Sequence, residues 1–173
     1  MRRTAGRIYL IRNAFPKDAG RLTVIAVTAK RYWNYPDSHM ERFRSELTVS
    51  ADYILSPDTV VRCEEIDGAV IAFYAVVRLH EPRRSGTVVM EDGFWLEHMF
   101  VLPACHRKGI GTRLFEDMKA ELARLKADRV RIFVDPHAKD FYKKMGASLV
   151  RYSDSSIPGR KIPVYEYRIR SPF

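Results

Sequence analysis

The sequence is poor in cysteine and has no long apolar run. Its two cysteines, Cys63 and Cys105, form no C-x-x-C pair, so the spacing of a zinc site or a redox dithiol is missing. The longest apolar stretch, Ala69–Val77, has nine residues and is too short to span a bilayer. The N-terminal segment has no apolar stretch of signal-peptide length. These features predict a cytoplasmic protein without membrane association.

The histidines do not have the spacing of metal ligands either, so we expect no metal site. Repeats, low-complexity tracts and Gly/Ser linkers are also missing. A chain of 173 residues with 46% apolar residues can bury one core. We therefore predict a single domain over residues 1–173.

Positively charged residues are in excess. The chain has 30 Lys and Arg against 21 Asp and Glu, which gives a net charge of +9. This balance suggests an anionic partner, either nucleic acid, a membrane surface or a phosphate-bearing small molecule. Basic residues alternate with acids such as Glu116, Asp117 and Glu121, and no helix-turn-helix, RRM or zinc pattern occurs. We therefore expect no nucleic-acid partner.

The hydrophobic pattern predicts an α/β or α+β domain, with helices on both faces of a central mixed, mostly antiparallel sheet. The order is a strand, two helices, three strands, a helix, a strand, a helix and two strands. Asp67-Gly68 predicts a tight hairpin, and a second turn is expected at 80–86 or 91–93. The clearest helix is Gly109–Lys126, where Phe115, Met118, Leu122 and Leu125 recur at helical spacing.

The segment from Val101 to Thr112 joins a buried strand to this helix. Gly109 and Gly111 permit close approach of a ligand, and the first helical turn leaves N–H groups without intrahelical partners. The charges of Arg107, Lys108 and Arg113 complete a predicted pyrophosphate site. The G-x-x-x-x-G-K-[ST] spacing of a P-loop is missing, and Leu114 occupies the third glycine position of a Rossmann fingerprint. An ordinary strand–helix turn is the remaining alternative.

Two motifs resemble those of the GNAT superfamily of acyl-CoA-dependent N-acetyltransferases. The pattern V-x-P-x-x-[QR]-x-x-G-x-[GA] corresponds to Val101 through Gly111, with His106 in place of Gln or Arg. The pattern N-x-x-A-x-x-[LF]-Y-x-x-x-G-[FA] corresponds to residues 135–147, with Asp135 in place of Asn. Both motifs occur in the expected order, and the element order fits the whole chain.

This resemblance implies transfer of the acetyl group of acetyl-CoA to a primary amine by direct attack in a ternary complex. It implies that the amine belongs to a small molecule or a peptide. A non-catalytic acyl-CoA sensor is the alternative, and both a monomer and a homodimer remain open. The cosubstrate-binding residues implied by the motifs, with His137 placed near the pantetheine, are Phe100, Val101, His106, Arg107, Lys108, Gly109, Ile110, Gly111, Thr112, His137 and Phe141.

The resemblance also implies roles in the chemistry. Tyr142 is the expected general acid for the leaving thiolate, and Glu97 is the leading candidate for the base. His98 and a water chain remain alternatives to Glu97, and strand alternation puts the two side chains on opposite faces. A backbone N–H near 99–101 would meet the oxyanion.

The acceptor is expected to lie between two segments. Trp33 and Tyr35 are candidates for its binding, because an aromatic cluster suits a partly apolar or cationic amine. The loop from Ser155 to Arg160 is a candidate for the other side of the acceptor pocket.

Overall fold

A computed structural model describes residues 2–4 and 6–170 of the chain. The helices are α1 (Ala19–Arg31), α2 (Asp37–Leu47), α3 (Ala51–Leu55), α4 (Ile110–Arg124) and α5 (Lys139–Lys144). The strands are β1 (Arg2–Thr4), β2 (Arg7–Asn13), β3 (Thr59–Ile66), β4 (Ala69–Leu79), β5 (Arg83–Ser85), β6 (Val88–Met90), β7 (Gly93–Val101), β8 (Arg129–Phe133), β9 (Ser148–Asp154) and β10 (Lys161–Arg168). Single turns of 3₁₀ helix cover Pro16–Asp18, Pro103–Cys105 and Pro136–Ala138.

The chain divides into two compact units, of which the first comprises Met1–Val76 and His98–Leu114. Its strands are hydrogen-bonded in the order β1, β2, β3, β4 and the last residues of β7. The predicted hairpin between β3 and β4 is present, and Asp67 and Gly68 both have positive φ, as a tight turn of this kind requires. Helix α1 contacts α2 and buries Leu22 and Ile25 in the core of this unit.

The second unit comprises Val77–Glu97 and Phe115–Phe173. Its strands follow the order β4, β7, β8, β10 and β9. The β7–β8 pair is parallel, with Trp95 opposite Arg131, whereas β10 is antiparallel to both of its neighbours. Trp95 is fully buried and stacks on Phe133 with ring centroids 4.8 Å apart. A parallel pair requires a crossover connection, and the chain supplies it with α4.

The predicted fold class is confirmed, with a mixed, mostly antiparallel sheet and flanking helices. That residues 1–173 form a single domain stays a prediction. Helix α4 runs over Ile110–Arg124 and buries Phe115, Met118 and Leu122 of the predicted apolar stripe. Leu125, the fourth predicted member, follows the end of the helix and is exposed. Within 2–4 and 6–170, the protein has no helix that combines the length and the apolar character needed to cross a membrane.

Two short features differ from the predicted order. Helix α3 was not predicted, because five residues are too few to display helical periodicity. Residues 80–86 were expected to form a turn, yet Arg83–Ser85 is a strand that pairs with Val88–Met90. The reversal therefore lies at Gly86, which has φ of 59°. Strands of three residues are below the length at which alternation identifies them.

A buried ionic network joins the start of α1 to the first strands. Arg12 donates to Asp18 at 2.8 Å and to Glu65 at 2.7 Å, and Asp18 also accepts from the backbone N–H of Phe15 at 2.7 Å. The hydrogen bond from Arg12 is the main cause that lowers the pKa of Asp18 below its ordinary value of 3.8. Burial opposes this shift without cancelling it.

We expect Asp18→Asn to lower the free energy of unfolding at pH 7 by about 2 kcal/mol, because a charge-assisted hydrogen bond is lost. The lowered pKa means that Asp18 contributes this stability above pH 3.8 and loses it as the pH falls through the folded-state value. The difference between wild type and variant should therefore shrink below pH 3.8. Urea unfolding at several pH values measures it, with exposed Asp92→Asn as control. A pH-independent difference would contradict the assignment.

Candidate active site

The loop between β7 and α4 reverses the chain through two left-handed residues. After the 3₁₀ turn at Pro103–Cys105, Arg107 has φ of 59° and Gly109 has φ of 73°. Helix α4 then begins at Ile110. A left-handed arginine is unusual and strained, so the surrounding contacts must impose this shape. Residues 107–109 are exposed, so two cations face solvent immediately before the start of α4.

Arg113 has a different role from the one that the sequence suggested. Its guanidinium donates to Glu64 through Nε at 2.9 Å and through Nη2 at 2.5 Å. Nη1 donates to the carbonyl of Lys108 at 3.2 Å, and the group lies 4.9 Å from the ring centroid of Tyr9. Because Glu64 is wholly buried, its charge requires this partner. Arg113 therefore braces the loop, and its charge is balanced by Glu64.

His106 contacts an aromatic residue at the end of α1. Its ring meets the ring of Tyr32 edge-on at 5.1 Å, and its Nε2 lies 3.3 Å from the carbonyl oxygen of Val101. Tyr32 in turn meets Trp33 edge-on at 4.9 Å, and both aromatic side chains are exposed. The first unit thus brings predicted acceptor residue Trp33 into the same cluster as predicted cosubstrate residue His106.

Tyr35, the other predicted acceptor residue, belongs to a separate cluster. Its ring lies 5.3 Å from Phe43 and 6.2 Å from His39, both on α2. The ammonium of Lys30 lies over both Tyr35 and Phe43, at 5.1 Å and 4.5 Å from their centroids. These contacts hold Tyr35 between α1 and α2. Trp33 and Tyr35 are therefore close in sequence, but their rings contact different partners.

His98, near the C-terminal end of β7, is surrounded by aromatic side chains. His98 is buried and lies 5.8 Å from Phe73 on β4, 5.8 Å from Tyr53 on α3 and 6.1 Å from Phe100. His98 and Phe100 share one face of the strand, as alternation requires. Glu97 is on the opposite face, as predicted.

In the second unit, Tyr142 lies in a cluster of rings. Its centroid is 5.1 Å from Phe141 and 6.3 Å from Phe115 on α4. Burial raises the pKa of the Tyr142 phenol above its ordinary value, and the charge of Asp135 adds to the shift. The phenol is therefore neutral throughout the physiological range.

Asp135 caps the helical turn that precedes Tyr142. Its carboxylate accepts from the backbone N–H of His137 at 3.0 Å, and the Nδ1 of His137 lies 2.9 Å from the same oxygen. An Asp at this position is a good N-terminal cap, which explains why acid replaces amide without loss of the local fold. The imidazole of His137, a predicted cosubstrate contact, is held by this carboxylate.

Glu97 has a partner that the sequence did not reveal. Its carboxylate accepts from the Nη2 of Arg83, on strand β5. Arg83 was expected to lie in an exposed basic turn, so the pairing became visible only with the β5–β6 hairpin in place. Among the residues that the structure describes, no group of three or more His, Cys, Asp or Glu could hold a metal ion.

Comparison with known proteins assigns these features to a family. The sequence model of the acetyltransferase (GNAT) domain matches residues 71–151, which span both motifs. Residues 71–151 are thus similar to a GNAT acetyltransferase domain. The predicted resemblance and the acyltransferase class are thereby confirmed. No curated protein matches the sequence.

Solved structures show the same GNAT fold. The PaiA N-acetyltransferase of Thermoplasma acidophilum, solved with coenzyme A, has a TM-score of 0.72 at 16% identity and covers 93% of this chain and 99% of its own. The ribosomal-protein-S18-alanine N-acetyltransferase of Escherichia coli has a TM-score of 0.67 at 16% identity and covers 94% of each chain. An aminoglycoside 6'-N-acetyltransferase complexed with coenzyme A has a TM-score of 0.61 at 15% identity, over 93% of this chain and 97% of its own.

Gly109, in the loop between β7 and α4, has a positive φ that a residue with a side chain adopts only with strain. We expect Gly109→Ala to lower the free energy of unfolding by about 1 kcal/mol, because a side chain strains the left-handed conformation. Gly20→Ala is the matched control, since Gly20 lies in α1 with open space around its Cβ. That substitution should be neutral or stabilising. Equal stability of Gly109→Ala and wild type in urea unfolding would contradict the role of the turn.

Proposed function

We propose that the protein transfers the acetyl group of acetyl-CoA to a primary amine by direct attack in a ternary complex. The observation that carries this proposal is the loop at 107–109, where left-handed Arg107 and Gly109 lead into the first turn of α4. Two exposed cations beside a helix N-terminus suit a pyrophosphate. Coenzyme A in the Thermoplasma and aminoglycoside acetyltransferase structures supports this assignment.

The remaining cosubstrate contacts follow the motifs. The pyrophosphate would meet Arg107 to Thr112, and His106 would flank it. The pantetheine arm would lie along Phe100 and Val101 as an added edge of β7. Phe141 and His137 would line the same arm. Arg113 is left out of this set, because Glu64 balances its charge.

Acetyl transfer places three demands on the protein. The amine must be neutral although its ordinary pKa is about 10.4, the thioester oxygen must be stabilised as it gains charge, and the leaving thiolate must be protonated. A backbone N–H near 99–101 would meet the oxygen. Holding the amine and the thioester together supplies part of the rate, since it removes the entropic cost of an encounter.

Tyr142 would protonate the thiolate. A thiolate with an ordinary pKa of about 8.5 is a modest leaving group, and a nearby phenol can transfer a proton to it as the C–S bond breaks. Burial keeps the Tyr142 phenol protonated at neutral and moderately alkaline pH. The ring cluster with Phe141 and Phe115 fixes its orientation.

Glu97 would take the proton from the amine. Its carboxylate is largely shielded from solvent and accepts a hydrogen bond from Arg83. His98, on the other face, remains the alternative because a buried imidazole can also accept a proton. The two candidates differ in their pH dependence and can be separated by kinetics.

Tyr142→Phe is expected to lower kcat by at least about 100-fold and to leave the affinity for acetyl-CoA within about threefold, because the phenol acts on the leaving group. Thiol release measures turnover, and titration calorimetry measures affinity. Tyr152→Phe is the control, since Tyr152 is exposed on β9 and outside the site. Unchanged turnover would remove Tyr142 from the mechanism. Binding of acetyl-CoA without any turnover in wild type would favour the sensor alternative.

Glu97→Gln should abolish the acidic limb of the kcat/KM profile and lower the plateau by about 100-fold or more, because an amide cannot accept the proton. His98→Asn is measured in parallel, since an imidazole base would give that variant the same loss. Measurement of kcat/KM from pH 5 to pH 10 with one amine, in wild type and both variants, identifies the base. An acidic limb that survives in Glu97→Gln and disappears in His98→Asn would transfer the role of base to His98.

A further inference from the structure

The Arg83–Glu97 pair joins two elements that are well separated in sequence. The Nη2 of Arg83 donates to Glu97 on β7 and also lies 3.3 Å from the Sδ of Met90. These two contacts use the same nitrogen of the guanidinium. The other nitrogens of its planar fork have the geometry to bind a carboxylate in a bidentate manner.

The exposure of this pair differs from that of the structural pairs in the first unit. In the Arg113–Glu64 pair the two side chains are 27% and 0% exposed, and in the Arg12–Glu65 pair they are 20% and 17% exposed. In the Arg83–Glu97 pair, Glu97 is 17% exposed but Arg83 is 48% exposed. A ligand can therefore reach the cation of this pair most readily, and the carboxylate also keeps part of its surface exposed.

The hairpin that carries Arg83 is held in place from the rest of the second unit. Arg151 on β9 donates to the carbonyl of Val89 at 3.2 Å and pairs with Glu91 at 2.8 Å, and the indole of Trp95 donates to the carbonyl of Glu91 at 2.8 Å. Burial alone would raise the pKa of Glu91, but the hydrogen bond from Arg151, a backbone hydrogen bond and the charges of Arg151 and Arg131 together bring it below its ordinary value. These contacts fix β6, and Arg83 is paired in register with Met90 on that strand.

We propose that Arg83 and Glu97 together bind an acceptor that carries a carboxylate next to its amine, as an α-amino acid does. The protein presents a cation and an anion side by side, and an α-amino acid presents the opposite charges at a similar separation. The carboxylate of the acceptor would pair with Arg83, and its ammonium group would meet Glu97. This inference rests on the proposed acetyl transfer and names the substrate class of the same site.

Glu97 and Tyr142 account for the proton transfers that this reaction requires. The ammonium gives one proton to Glu97, the nitrogen forms a bond to the acetyl carbon, and the C–S bond breaks. The second proton that the nitrogen loses goes to solvent, and Tyr142 protonates the thiolate and then regains a proton from solvent. The products are the N-acetylated acid and free coenzyme A. Arg83 takes no part in bond breaking and is a substrate-binding residue.

The test compares matched acceptors with and without the carboxylate. The probes are L-phenylalanine against 2-phenylethylamine, L-tyrosine against tyramine, and L-histidine against histamine. In wild type we expect kcat/KM to be at least about tenfold higher for each amino acid than for its carboxylate-free partner. A tenfold ratio corresponds to the free energy that one charge-assisted hydrogen bond contributes. Arg83→Gln should bring each ratio to about one, and Arg83→Lys should give an intermediate ratio because the point charge remains without the fork.

Arg84→Gln is the matched control, because Arg84 is the neighbouring exposed arginine of β5 and alternation points it to the other face. Its ratios should equal those of wild type. Circular dichroism and thermal melts establish that each variant is folded, and Arg83→Lys provides the measurement if Arg83→Gln does not fold.

Two results overturn this inference and leave acetyl transfer standing. One is a wild-type enzyme that acetylates the carboxylate-free amines as well as, or better than, the amino acids. The other is a preference for amino acids that persists in Arg83→Gln or Arg83→Lys at its wild-type size. Lack of transfer to every amine in both series is a different outcome, because it rejects the proposed function itself.

Discussion

The ion pair between Glu64 and Arg113 is the constraint on which the loop before α4 depends. A carboxylate with no exposed surface is costly unless a cation and hydrogen bonds compensate it, and removal of one partner of such a pair costs about 3–5 kcal/mol. Arg113 meets this need from the first turn of α4 and also donates to the carbonyl of Lys108. One side chain thus connects the middle of β3, the left-handed loop and the helix start.

This constraint explains how a strained loop can persist. Arg107 adopts a left-handed conformation that costs about 1 kcal/mol or more for a residue with a side chain. The bond from Arg113 to the carbonyl of Lys108 fixes the residue that follows, and Gly109 then completes the reversal without strain. Contacts within the protein therefore support the shape of this loop.

The excess positive charge of the chain has several distinct uses. Arg12 and Arg113 neutralise buried or shielded carboxylates in the first unit, and Arg151 anchors the β5–β6 hairpin in the second. Arg107 and Lys108 remain exposed on the loop, where a phosphate-bearing ligand would meet them. The net charge of +9 therefore describes the composition, and the pairing of individual residues decides where that charge can act.

The sequence by itself determined the fold class, the hairpin at Asp67-Gly68, helix α4 and the two motifs, because each depends on short-range patterns of apolar residues and glycines. The tertiary structure decided which charges are partnered. Arg113 and Glu64 lie 49 positions apart, and Arg83 and Glu97 lie 14 apart. Such pairs follow from strand register and from the short β5–β6 hairpin, which local periodicity does not encode. Only folding showed that Arg113 supports the loop and that Arg83 accompanies the candidate base.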